Sequence, residues 1–192
     1  MRIYDDRGRT EQDFLREYSD KKYPKPSLTA DIILLEKNGD GYDVLLVKRR
    51  NHPFLDFFAL PGGFADPGES IEQTAARELA EETAVQNIPL DLVGVYSQPG
   101  RDPRGWVVSC AYMAEISPGT VTVRAGDDAA EASWFNVSFP EGKMVLRQRD
   151  LPGEEPVFHL AFDHEKILRD AINAADKNKS SGVIHKQNKE NF

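Results

Sequence analysis

The chain has 192 residues and a mass of 21.6 kDa, with 24 Lys and Arg against 32 Asp and Glu, a net charge of −8 and a pI near 5.1. That length fits one compact domain with short extensions, and 40% hydrophobic with 29% charged residues is the balance of a globular chain, not a disordered one. The acidic balance argues against long nucleic acid or an anionic membrane as partner, and aliphatic runs no longer than residues 32–35 argue against a spanning helix.

The polar start MRIYDDRGR has no apolar signal region, and a single cysteine, Cys110, cannot close an internal disulfide; both agree with a cytoplasmic protein. Residues 1–27 are polar and end in Tyr23, Pro24, Lys25, Pro26 and Ser27, which reads as an arm. Residues 28–35 and 42–49 are apolar and rich in β-branched side chains. The Asn38-Gly39 between them predicts an antiparallel hairpin.

Residues 51–68 are dense in Pro, Gly and aromatics, and Ser70 with Gln73 then forms a capping box. Ile71, Ala75 and Leu79 recur at helical spacing, so a helix is predicted to about Thr83. Residues 90–97 and 106–116 read as strands around a long charged loop, 98–105, and residues 120–124 and 132–136 as shorter strands. A second helix is expected over 163–175, with residues 176–192 as a polar, disordered tail. Strands broken by one early and one late helix predict an α/β fold, a mixed sheet packed between helices, with residues 28–175 as its body.

Residues 63–85 hold six carboxylates against the single guanidinium of Arg77, most of the chain's excess negative charge. At about 100° per residue, Glu78, Glu81 and Glu82 share one helix face. Like charges at i and i+4 repel, and a face of oxygen ligands suits a hard divalent cation, Mg²⁺ or Mn²⁺; the plain alternative is a solvated acidic face.

The run GFADPGESIEQTAARELAEETAV decides between them. It resembles the Nudix box, G-x5-E-x7-R-E-U-x-E-E-x-G-U with U aliphatic, at eight of nine fixed positions: Gly63, Glu69, Arg77, Glu78, Leu79, Glu81, Glu82 and Val85. Ala84 stands where the pattern has its last Gly.

The resemblance implies a Nudix-type α/β/α sandwich and metal-dependent hydrolysis of a pyrophosphate bond. It implies Glu78 and Glu82 as the main metal carboxylates, with Glu81 beside them and the Gly62 carbonyl as a further ligand. The base is then Glu78 or Glu81, Arg77 orients the carboxylates by pairing with Glu69 or Glu81, and Gly63 and Glu69 support the box. One more acid is expected from Asp128, or else Glu131, ahead of the strand at 132–136.

The loop 98–105 offers Arg101 and Arg104 for phosphate and Asp102 for ribose hydroxyls. Pro99, 15 residues after Ala84, falls about where ADP-ribose-cleaving relatives carry a marker proline, so the loop resembles that subgroup. Trp106 is the aromatic best placed to stack on a base, Phe57 and Phe58 read as core, and either Arg49 or Arg50 is expected to reach a phosphate. The four histidines share no metal-ligand spacing, and Cys110 reads as a small hydrophobe.

The expected activity is conversion of ADP-ribose to AMP and ribose 5-phosphate, with a small nucleotide as the only partner apart from a possible second copy in a homodimer. The alternatives are another nucleoside diphosphate derivative, a nucleoside triphosphate, or an ADP-ribose-sensing domain. The intact box and the short tail favour the enzyme.

Overall fold

Along the strand formed by residues 27–38 the side chains alternate between two apolar surroundings. Ala30, Ile32 and Leu34 turn to one side and Ile33 and Leu35 to the other, all fully buried. A strand buried on both faces needs a layer on each.

The computed structural model, which describes residues 3–18, 24–123, 129–151 and 153–187, supplies those layers. Its elements are α1 (Glu11–Glu17), β1 (Ser27–Asn38), β2 (Gly41–Arg49), β3 (Phe58–Ala59), β4 (Gly62–Phe64), α2 (Ile71–Thr83), β5 (Asp91–Tyr96), β6 (Val107–Ile116), β7 (Ala129–Ser138), β8 (Val145–Gln148) and α3 (His164–Gln187). Ala75 and Leu79 of α2 meet the Ile32 side, while Ile167, Leu168, Ala171 and Ala175 of α3 meet the Ile33 side. The result is an α/β/α sandwich around one mixed, eight-stranded sheet. Among the described residues no helix is long and apolar enough to cross a membrane.

The sheet runs β5-β6-β1-β2-β7-β8, with β6 parallel to β1 and its other neighbouring strands antiparallel. The hairpin closes as predicted, Asn38 facing Gly41 across a turn in which Gly39 takes φ 58°. Beyond Leu35 and Val44, however, β1 and β2 no longer pair with each other. Thr29 to Asp31 pair instead with β4, and Val47 and Lys48 with β3. This wedge between the two central strands opens the cleft.

Some expectations are corrected. Residues 120–123 form no strand, and Arg124 lies outside the described residues. The arm contains α1, seeded by a Thr10/Asp13 capping box. Helix α3 continues past Ala175 to Gln187, into the segment expected to be disordered; once a packed nucleus exists, each added residue gains a hydrogen bond at little cost. Phe58 packs edge-on against Phe135 in the core as expected, whereas Phe57 is 44% exposed.

Candidate active site

Helix α2 delivers the acidic face. Ser70 Oγ accepts from the Gln73 N–H (3.3 Å) and Gln73 Oε1 from the Ser70 N–H (2.8 Å), so the capping box read from the sequence is formed. At the other end Ala84 adopts φ 62° and ψ 9°, a left-handed cap of the kind the Gly of the box pattern suits.

Arg77 gathers the box carboxylates. Its Nε and Nη2 donate to Glu69 (2.7 and 3.1 Å), its Nη1 to Glu78 (2.8 Å) and Glu81 (3.0 Å), and its Nη2 also to the Phe64 carbonyl (3.0 Å). These bonds keep Arg77 firmly charged, and they pull the Glu69 carboxyl down to about 2, helped by the Asp66 N–H and the Thr74 hydroxyl. Of the two partners foreseen for Arg77, it takes both and adds Glu78.

Glycines let the acids approach the strand. A Cβ on Gly63 would stand 2.3 Å from Glu78 Oε1, and one on Gly62, at φ +155°, would stand 2.2 Å from the Ala30 carbonyl oxygen. The Gly62 N–H donates to Glu82 Oε2 at 2.8 Å. Burial pushes the Glu82 carboxyl up to about 8 against that bond, with the Glu78 charge adding to the rise. Burial also raises Glu78, against the pull of Arg77.

Among the described residues no three acidic, His or Cys side chains converge as a ready ion cage. The donor chemistry nevertheless fits a hard divalent cation. Of the two half-buried carboxylates, Glu78 and Glu82, the charge of the first disfavours that of the second, and Arg77 answers only the first.

The opposite wall is cationic. Arg49 and Arg104 lie over the same Phe162 ring, their guanidinium carbons 4.9 and 5.2 Å from its centroid, and Arg104 also covers Phe64 at 4.7 Å. Burial and then the Arg104 charge lower the Arg49 pKa, so this wall holds excess positive charge facing Glu82. Both arginines line the cleft, as does Arg50.

The loop residues divide. Asp102 is buried and accepts from the Arg104 N–H (2.8 Å), Nε (3.0 Å) and Nη2 (2.6 Å), so its carboxylate folds the loop and aims Arg104. Arg101 borders the cleft, but its side chain is only 4% exposed. Its Nε and Nη2 donate to Asp163 (3.0 and 2.6 Å), and Nη2 stands 3.4 Å from Asp31.

Trp106 is exposed just ahead of β6 and is not among the residues that line the cleft. Glu131 accepts from Ser133 Oγ and Gln148 Nε2, both at 2.7 Å, on the β7–β8 side of the sheet. Asp128 lies outside the described residues.

Sequence reasoning passed over the cleft floor. There Asp31 accepts from Ser109 Oγ and faces His164 Nε2 at 3.5 Å, while His164 Nδ1 accepts the Leu60 N–H at 2.9 Å. Burial lowers the His164 pKa, which keeps the ring neutral. A charged residue inside the apolar run ADIILL was the one signal that pointed there.

The NUDIX domain family matches residues 25–153. An ADP-ribose pyrophosphatase of Methanocaldococcus jannaschii is 40% identical over 156 residues, 81% of this chain and 78% of that one. An ADPR responsive transcriptional repressor, NtrR, of Acinetobacter baylyi is 36% identical over 85% of this chain, which spans 60% of the repressor. Among solved structures, a MutT/nudix family protein of Enterococcus faecalis superposes with a TM-score of 0.75 at 38% identity, covering 89% of this chain and 71% of that one. The NUDIX domain of Shewanella oneidensis NrtR, complexed with ADP ribose, superposes at 0.69 and 32%, covering 87% and 99%. Sequence, sheet topology and the Arg77-clamped acids agree: the chain belongs to the NUDIX domain family and is a Nudix hydrolase.

Proposed function

We propose that the chain hydrolyses the pyrophosphate bond of ADP-ribose, giving AMP and ribose 5-phosphate, with Mg²⁺ or Mn²⁺ as cofactor and in the cytoplasm. The observation that carries the reading is one cleft in which the half-buried Glu82, next to Glu78 on the same face of α2, faces two guanidiniums on one aromatic ring, Arg49 and Arg104. The 40% identity to an ADP-ribose pyrophosphatase supports the choice of substrate.

The residues divide the work. Arg49 and Arg104 bind the diphosphate oxygens and orient the linkage, with Asp102 and Phe162 fixing the Arg104 fork. Glu78 and Glu82, with the Gly62 carbonyl, hold the cation, which when bound screens the phosphate oxygens and lowers the pKa of the attacking water. Glu81, exposed and tethered to Arg77 at 3.0 Å, or Glu78 takes the proton from that water. Arg77 keeps both acids aimed while that proton moves.

The test is product analysis by chromatography on a panel of ADP-ribose, other nucleoside diphosphate compounds and nucleoside triphosphates, each with Mg²⁺ or Mn²⁺. AMP and ribose 5-phosphate from ADP-ribose, at the highest kcat/KM of the panel, is the expected result. A triphosphate cleaved in preference would overturn the substrate. A second reading, ADP-ribose sensing without turnover, draws on the 36% identity to a repressor; tight binding of intact ADP-ribose in the presence of metal would favour it.

A further inference from the structure

Beneath the cleft, four polar side chains close a ring. His164 opens α3 and stands 3.5 Å from Asp31 on β1; Asp31 meets Arg101 at 3.4 Å; and Arg101 returns to Asp163, the residue before His164, at 2.6 Å. All four are buried or nearly so, their side chains between 4% and 21% exposed. Arg101 balances the two aspartates, whereas the neutral His164 contributes a donor and an acceptor.

The directions of those two groups matter. Nδ1 accepts the Leu60 N–H at 2.9 Å, so the ring proton sits on Nε2 and faces Asp31. Leu60 begins a short strap, residues 60–62, that bridges β3 and β4. The strap is pinned at its middle by the Ile32 N–H donating to Pro61 O (2.8 Å) and at its far end by the Gly62 N–H donating to Glu82 (2.8 Å). His164 is therefore the anchor at the end opposite Glu82.

We propose that His164 is a positioning residue for the cation site: by accepting the Leu60 N–H while braced on Asp31, it sets the height of the strap and hence the placement of Gly62 and Glu82. The imidazole acts on the cation site through the two peptide units that separate Leu60 from Gly62. The brace also ties the strap to Arg101 and so to the 98–105 loop that aims Arg104, which makes the two walls of the cleft one rigid piece. The inference rests on the reading that Glu82 and Gly62 belong to the cation site.

The experiment titrates the full chain with Mn²⁺ by EPR, without substrate, and follows hydrogen exchange at the Leu60 amide in the metal-free protein. His164→Asn keeps an acceptor near the place of Nδ1. His164→Gln reaches toward Asp31 but leaves the Leu60 N–H bare, and His164→Ala removes both functions. Mn²⁺ affinity should fall by about tenfold or more in the Gln and Ala variants, with the Leu60 amide exposed to exchange, and should stay within about threefold of wild type in the Asn variant.

Equal Mn²⁺ binding by all the variants overturns the inference, as does an Asn variant that loses as much as Gln. Should the Ala variant fail to fold, the Asn and Gln pair decides. A wild-type chain that binds no Mn²⁺ overturns the cation site of the proposed function itself, a result distinct from the other two.

Discussion

Glu82→Gln should stabilise the metal-free protein and at the same time abolish turnover, and the two effects carry separate pH signatures. Glu82 has a folded pKa of about 8 against an ordinary 4.5, because burial disfavours its charge. A carboxyl raised in this way holds its proton more tightly folded than unfolded. Its contribution to stability is complete below about pH 4.5 and is lost as the pH climbs through about 8. At about 1.4 kcal/mol per pH unit, discounted for solvent at the cleft, the loss between pH 5 and 8 is on the order of 2–4 kcal/mol. In a chain of this size that lowers Tm by about 5–10 °C. Glu78, raised by burial as well, adds a decline of the same sign.

Gln keeps an oxygen for the Gly62 N–H but cannot ionise, so in chelator the variant's Tm should fall much less over that window. Millimolar Mg²⁺ at pH 8 should lift the wild-type Tm by mass action and leave the variant unmoved. Its kcat should be at least about 10²-fold lower. The assay is differential scanning fluorimetry across pH, with and without Mg²⁺, beside steady-state kinetics. A wild-type Tm that is flat or rising from pH 5 to 8 in chelator refutes the argument, as does an active Gln variant.

Ala84→Gly relieves a left-handed residue of its Cβ, a gain of about 1–2 kcal/mol that the freer unfolded chain partly offsets, so Tm should rise by about 2–4 °C with kcat unchanged. Gly63→Ala drives a Cβ to 2.3 Å from Glu78 Oε1; the flexible carboxylate yields, so a melt should show little change while kcat falls by about 10²-fold. Arg101→Ala leaves Asp31 and Asp163 buried without their cation and should cost about 3–5 kcal/mol in chemical denaturation. Arg49→Ala removes the same charge from the cleft wall, and should leave stability nearly intact and lower kcat/KM by roughly 10 to 150-fold.

The hairpin and α2 were legible because their signals are local: Asn38-Gly39 for a tight turn, and Ser70 with Gln73 and a 3.6-residue stripe for a helix. The box carboxylates were legible for the same reason, since Glu69, Arg77, Glu78 and Glu81 meet within one helix and its approach. Strands β3 and β4, two and three residues long, have no periodicity to read; they exist because β1 and β2 part and expose unpaired backbone. Thr10 and Asp13 did carry a capping signal, but it was hidden in a polar stretch.

The loop is ambiguous for another reason. Two arginines beside one aspartate suit phosphate or suit each other, and only the fold shows that Arg101 turns inward to Asp163, 62 positions away. His164 and Asp31 were invisible as a pair because nothing in either's local sequence announces the other.

The parallel ladder between β1 and β6 sets a final condition on the molecule. Ser27 faces Val107 and Glu36 faces Ile116, so each contact in this ladder closes a loop of about eighty residues, a slow and entropically costly step. Ser109, which donates to Asp31, rides on that ladder, and the His164 contact to Leu60 spans a longer stretch still. The acids of α2 need only a helix to share a face, whereas the floor and the cationic wall need the whole sheet. A half-folded chain would present carboxylates without the framed cleft that makes them selective, and would bind divalent ions weakly and indiscriminately. Catalytic competence and global folding should consequently appear in a single kinetic phase, with no active intermediate on the way.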